Sequence, residues 1–145
     1  MNNKKVILGG TFDVFHKGHQ FLLNRAFGLG TVTIGLTSDN LAWKLKKRKV
    51  NKFNDRKKAI KNFITKNFKK KFKIIKIEDK FGPTLKSYFD YIVVSPGTYP
   101  TAVLINEKRK KLKKQPIKII KIKFVTGKDG KPISSTNLRT ASSKC

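Results

Sequence analysis

Two short stretches carry most of the usable chemistry in this chain. The first, GGTFDVFHKGH (Gly9–His19), follows the apolar triplet Val6-Ile7-Leu8 and holds a glycine pair, a threonine, an aspartate and two histidines within eleven residues. Gly9 and Gly10 let the backbone approach a ligand closely, and Thr11 adds a hydroxyl donor. A helix opening near Lys17-Gly18 aims its free N–H groups and the positive end of its dipole at the same place. His16 and His19, about one turn apart, can then face a single anion, as neutral donors or as imidazolium. The same spacing also suits a helix cap beside a surface histidine. As a metal pair it is incomplete: zinc wants a third and fourth ligand, and the chain has only two His and one Cys. The second stretch, GKPISSTNLR (Gly130–Arg139), sets Ser134, Ser135 and Thr136 where a helix begins, with Arg139 about one turn on. Hydroxyls, backbone N–H groups and a forked cation suit a triphosphate. Taken alone, the run is equally a plain helix cap followed by a solvated arginine.

The rest of the composition narrows the chemistry. Acids number eight, and Asp13 is the one acid in the first stretch, placed to orient the loop or to help hold a cation. Paired carboxylates for acid–base work are therefore not available there, nor is a Ser/His/Asp or Cys/His set for a covalent intermediate. What remains is positioning and electrostatics around phosphates, which suits direct displacement at phosphorus. The formal charge of +27 invites a nucleic-acid partner. Yet the cations are 30 Lys against 5 Arg, spread through the whole chain, whereas base and phosphate forks favour Arg. The lysines read as solvated surface with some attraction for polyanionic substrates, and nucleic acid is not the expected partner. Apolar runs are too short to span a membrane, and the N-terminus has no signal-peptide pattern. The single cysteine is Cys145, so no internal disulfide forms, and a reducing, cytoplasmic setting is expected.

The 145 residues suit one domain, 1–145, in which strands and helices alternate. Strands are expected at 6–8, 31–37, 71–77, 91–95 and 117–125. Helices are expected at 18–27, ended by Gly28 and Gly30, at 39–48, at 54–68 with Asn54 or Asp55 as cap, at 99–114, and at 134–143. Such alternation implies an α/β fold with a parallel sheet and right-handed crossovers. Strands one, two and four are apolar nearly throughout, as central strands covered on both faces should be. Strands three and five alternate Lys with Ile or Phe, and lysine commonly guards a sheet edge. The expectation is a Rossmann-like, doubly wound, five-stranded sheet in the order 3-2-1-4-5. Its switch point lies between strands one and four, where ligands bind beyond the carboxyl ends. The loops found there are GGTFDVFHKGH and SPGTYP.

GGTFDVFHKGH resembles the H-x-G-H signature of the nucleotidyltransferase superfamily, and ISSTNLR resembles its C-terminal partner. More finely, TIGLTSDNLAWK, FGPT, YIVVSPGTYPTAVLINEKRK and DGKPISSTNLR follow the order and spacing of the archaeal phosphopantetheine adenylyltransferases over nearly the whole chain. The resemblance implies transfer of AMP from ATP to 4′-phosphopantetheine, giving dephospho-CoA and pyrophosphate, with Mg2+ accompanying ATP. By the same resemblance His19 stabilises charge on the α-phosphate and Thr11 positions the acceptor phosphate. Lys44 neutralises charge between the substrates, a part that Lys46 or Lys47 could also take. Gly9, Gly10, Phe12 and His16 contact ATP, and Ser134, Ser135, Thr136 and Arg139 hold its β- and γ-phosphates. One position departs from the pattern: the acid that the family tends to carry before the Thr of VSxxT is Gly97 here.

Within the superfamily the rival acceptors are FMN and, with CTP, glycerol phosphate. A rival of another class is a basic nucleic-acid-binding module, which predicts salt-dependent affinity and no pyrophosphate release. It leaves both phosphate motifs unexplained. A monomer or small homo-oligomer working on small-molecule substrates is the expected state.

Overall fold

The lysine pattern sorts the strands. In the computed structural model, which describes residues 4–123, β1 (Lys5–Gly10), β2 (Thr31–Thr37), β3 (Phe72–Ile77), β4 (Tyr91–Val94) and β5 (Lys118–Lys121) form a parallel sheet in the order β3-β2-β1-β4-β5. Lys73 and Lys76 of β3, and Lys118 and Lys121 of β5, are exposed on the two edge strands, where charge discourages pairing with a further strand. The expected fold class and strand order hold.

Side-chain alternation along β1 splits the core into two layers. Val6 and Leu8 face a cluster with Leu23 and Phe27 of α1 (Lys17–Leu29) and Ile60 and Ile64 of α3 (Phe53–Asn67). Ile7 faces the opposite way, toward Ala102 and Ile105 of α4 (Tyr99–Lys111). Between β2 and α3 lies the short helix α2 (Asp39–Lys46), and between β3 and β4 a single 3-10 turn, Gly82–Leu85.

Several boundaries differ from the sequence expectation. Gly28 lies inside α1, and Gly30 alone ends it. A Cβ at Gly30 would collide with the Lys4 carbonyl, the same carbonyl that accepts the Thr31 N–H at 2.9 Å as β2 begins. Helix α3 starts at Phe53, so Asn54 and Asp55 sit within its first turn rather than capping it. The cap comes from elsewhere: Asp39 Oδ1 accepts the Phe53 N–H at 2.8 Å. Helix α4 stops at Lys111, because Lys113 turns left-handed (φ 59°) and the Lys114 N–H returns to the Arg109 carbonyl at 2.9 Å. Strand β5 ends at Lys121, with one further ladder bond from Ile122 N–H to the Val94 carbonyl. Ile117, Ile122 and Lys123 of the expected fifth strand fall outside β5, while residues 124–125 and the helix expected at 134–143 lie outside the described residues.

One buried side chain fastens the carboxyl ends of β1 and β2. Arg56, 1% exposed, donates from Nη1 to the carbonyls of Thr11 (3.0 Å) and Thr37 (2.9 Å) and to Thr37 Oγ1 (3.2 Å). Its Nε reaches the Asn51 carbonyl at 2.7 Å, and Nη2 reaches Asp39 Oδ1 at 2.9 Å. Replacing Arg56 by Met leaves the buried Thr11 and Thr37 carbonyls and the part-buried Asn51 carbonyl short of a donor, so a loss of about 3 kcal/mol is expected. Asp39→Asn acts on a carboxylate that is 60% exposed and keeps an acceptor oxygen, so it should cost less than about 1 kcal/mol. Urea titration of both variants checks this, and a small, equal loss from each would contradict the assignment.

Candidate active site

Beyond β1 the chain makes a tight turn that seats the two histidines. Phe12 has a left-handed backbone (φ 50°) and is 3% exposed. Its ring lies over Gly10, where a Cβ would come within 3.1 Å of Phe12 Cε2. Gly10 is therefore needed at least as much for this ring as for any ligand. The Phe12 ring also meets His19, tilted and centroid to centroid at 4.7 Å, while Phe15 stacks on His19 at 5.7 Å.

His16 and His19 close the start of α1 as a reciprocal cap. His16 Nδ1 accepts the Gly18 N–H at 2.9 Å, and His19 Nδ1 accepts the His16 N–H at 3.3 Å. The two rings stack at 3.9 Å with 20° between planes. The cap reading holds, with His19 packed against His16 and not standing as a surface histidine. Burial is the main influence on both rings: it lowers the pKa of His16, and it pushes His19 down to about 3, helped by neighbouring His16 and Lys46 and opposed by a hydrogen bond with the Val14 backbone. Both imidazoles are neutral at physiological pH. With its Nδ1 serving as acceptor, neutral His16 carries its proton on Nε2. His16 Nε2 is buried and has no hydrogen-bond partner. A buried donor left in this state is costly unless an acceptor arrives.

The neighbouring loop is tied down by Asp13. Its Oδ1 accepts the Asn51 N–H (2.8 Å), its Oδ2 takes Arg48 Nη1 (2.8 Å), and its carbonyl accepts Asn51 Nδ2 (2.8 Å). Both carboxylate oxygens are thereby engaged within the protein, and Asp13 orients the loop. Among the described residues no group of three or more His, Cys, Asp or Glu could hold a metal ion. The side chains described here form no cage for Mg2+.

A cavity of about 220 Å3 opens beside this turn. Gly9, Gly10, Thr11 and Thr37 form its floor at the strand ends, where Thr37 Oγ1 donates to Thr11 Oγ1 at 3.1 Å. Its walls are apolar for the most part, with Ile77, Phe81 and Pro83 on one side and Ala102 and Ile105 of α4 on another. Of the three lysines considered for the site, Lys46 lines the cavity; Lys44 and Lys47 are exposed and do not. Lys47 turns left-handed (φ 57°) and ends α2, which leaves Lys46 as the last helical residue. Burial and nearby Arg48 lower the Lys46 pKa, while Asp13 acts against them. Thr98 also lines the cavity, and its Oγ1 accepts the Ser95 N–H at 3.1 Å. Gly97 beside it faces open space, its nearest neighbour being Ser95 Oγ at 3.8 Å from a built Cβ, so the departure from the family's acid does not arise from crowding.

The described structure thus places Gly9, Gly10 and Thr11 on the cavity, packs Phe12, His16 and His19 into the turn that follows them, and leaves Lys44 off the cavity. Ser134, Ser135, Thr136 and Arg139 lie outside the described residues. Sequence reasoning missed Arg48, Asn51 and Arg56, which hold the crevice in shape. One signal for two of them was available: the chain uses Arg only five times, so each one is a candidate for work that lysine cannot do.

A cytidylyltransferase-like family model matches residues 7–141. The phosphopantetheine adenylyltransferase of Archaeoglobus fulgidus is 42% identical over 137 residues, which is 93% of this chain and 92% of that protein. Its counterpart from Methanosarcina acetivorans is 42% identical over 139 residues, or 92% of this chain and 88% of that one. A solved structure from Archaeoglobus fulgidus, described as a protein with unknown function, superposes with a TM-score of 0.78 at 38% identity, covering 90% of this chain and 99% of that one. These similarities run through the crevice and the sheet that builds it: the chain belongs to the archaeal phosphopantetheine adenylyltransferase family, within the cytidylyltransferase-like nucleotidyltransferases.

Proposed function

We propose that this chain transfers AMP from ATP to 4′-phosphopantetheine, forming dephospho-CoA and pyrophosphate. The observation that carries this reading is the join between two unlike surfaces. A phosphate-seeking turn, with the unpartnered His16 Nε2–H, lies beside a largely apolar cavity that Thr11 and Lys46 help to line. A phosphate on a slender, largely uncharged arm needs both.

In the proposed step, an oxygen of the acceptor phosphate attacks the α-phosphorus. The bond from that phosphorus to the bridging oxygen breaks, and pyrophosphate leaves with the electron pair. The attacking group is already ionised near neutral pH, so no general base is required. Thr11 and Lys46 hold the acceptor phosphate, with Lys46 rather than Lys44 offsetting the repulsion between the two anions. His19 faces the charge that builds on the α-phosphate, and His16 binds the nucleotide phosphates. The backbone of Gly9 and Gly10 and the turn at Phe12 shape the nucleotide side. Ser134, Ser135, Thr136 and Arg139 complete the grip on the β- and γ-phosphates. ATP enters as its Mg2+ complex, the ion being carried by phosphates and water, as Mg2+ commonly is in phosphoryl-transfer sites.

Pyrophosphate release with Mg-ATP and each of phosphopantetheine, FMN and glycerol phosphate (the last also with CTP) tests the acceptor. Activity with another acceptor and none with phosphopantetheine would overturn it. His19→Ala should lower kcat about 10²–10³-fold, as for loss of one donor to a developing oxyanion. Lys46→Ala should raise KM for phosphopantetheine about tenfold or more, and Lys44→Ala by less than about twofold; the reverse order would return the role to Lys44.

The depressed histidine has a thermodynamic signature. An unfolded histidine titrates near 6.5 and His19 in the folded protein near 3, so between these values the unfolded chain binds the extra proton. Stability from this group is whole above pH 7 and is lost as the pH falls through that interval, by about 2 kcal/mol at pH 5. His19→Gln removes the titration. Urea midpoints at pH 7 and pH 5 should therefore fall less in the variant than in the unaltered protein.

A further inference from the structure

Helix α4 meets the cavity twice. Its first turns supply one wall through Thr98, Thr101 and Ala102. The facing wall, Phe81–Thr84, belongs to a connection with only one 3-10 turn of regular structure. Little in its own hydrogen bonding fixes how far it stands from α4.

Arg109, near the other end of α4, bridges that distance. It is 2% exposed. Its Nη1 donates to the Thr84 carbonyl at 2.7 Å and the Ser87 carbonyl at 3.2 Å, while Nε donates to the Gln115 carbonyl at 2.7 Å. The guanidinium carbon lies 6.0 Å from the Tyr88 ring centre. The ion pairs among the described residues are Arg48–Asp13 and Arg56–Asp39, so the Arg109 charge is balanced by carbonyl dipoles and not by a carboxylate. A buried charge without a counter-ion is expensive, and it is tolerated here in a chain that uses lysine 30 times and arginine five. The geometry explains the choice. A planar fork with donors on two nitrogens holds the Gln115 side and the Thr84–Ser87 side at a set separation, and the Lys114 ammonium adds one further tie, to the Leu85 carbonyl.

We infer that Arg109 is a positioning residue for the acceptor: it sets the separation of the two cavity walls, and so which arm the cavity accepts. This rests on the cavity being the acceptor's, as proposed above. Arg109→Lys keeps the charge and removes the fork; Arg109→Gln removes both. Two measurements separate the inference from the reading beneath it. Amide hydrogen exchange at Thr84, Lys86 and Ser87, which are bonded within the turn, needs no substrate and should quicken about tenfold in both variants while β1 is unaffected. Steady-state rates should show KM for phosphopantetheine raised about tenfold, with kcat and the KM for ATP within about twofold. Preference for phosphopantetheine over the shorter 4′-phosphopantothenate should also shrink. Unchanged exchange in the turn, exchange quickened equally in β1, or a parallel rise in the KM for ATP would each overturn the inference. If the unaltered protein releases no pyrophosphate with phosphopantetheine, the acceptor reading fails, and the exchange result alone decides whether Arg109 holds the walls.

Discussion

A parallel sheet leaves carbonyl groups at its carboxyl end with no following strand to satisfy them, and this protein answers with arginine. The Arg56 fork takes up the Thr11 and Thr37 carbonyls together, fixing β1 and β2 relative to each other at the point where the chain leaves for the histidine turn. Everything at the crevice is measured from that joint. Thr11 sits on it, Thr37 donates to Thr11 across it, and Asn51, whose carbonyl the same guanidinium holds, grips Asp13 in the loop above. The binding surface is thus an extension of the sheet rather than a loose set of loops, as a site built by preorganised donors requires.

The electrostatics of the crevice are less cationic than the chain's composition suggests. The turn beside it carries two neutral imidazoles, held neutral chiefly by burial. Lys46 stands beside them with its own pKa lowered. Neutral donors suit a site where charge moves between phosphates: they stabilise it without clamping the product as a fixed array of full charges would. The general lysine excess then acts at longer range, raising the local concentration of polyanions.

The sheet order was legible because edge and centre differ in composition, and the lysines of β3 and β5 record that difference directly. The histidine pair was legible because capping and anion binding both draw the same residue types to the start of a helix. Other features left no local trace. The cap of α3 comes from Asp39, fourteen residues upstream, so a search of the adjacent residues settles on Asn54 or Asp55. Lys44 and Lys46 share the last turn of α2, and only the way that helix sits on the sheet puts Lys46 on the cavity and Lys44 in solvent. Arg56 and Arg109 bond to backbone carbonyls that any sequence would provide, so no spacing identifies their partners.

The turn at Phe12 carries a further implication. A left-handed backbone at a bulky residue costs on the order of 1–3 kcal/mol, and glycine or asparagine would relieve it. Either would also withdraw the ring that fills the space over Gly10 and supports His19. No single replacement satisfies both demands, and a Cβ added at Gly10 would press to within 3.1 Å of the same ring. Positions 10 and 12 are therefore coupled: a larger residue at 10 is accommodated most readily when the ring at 12 is smaller, and drift through this turn is expected to be slow.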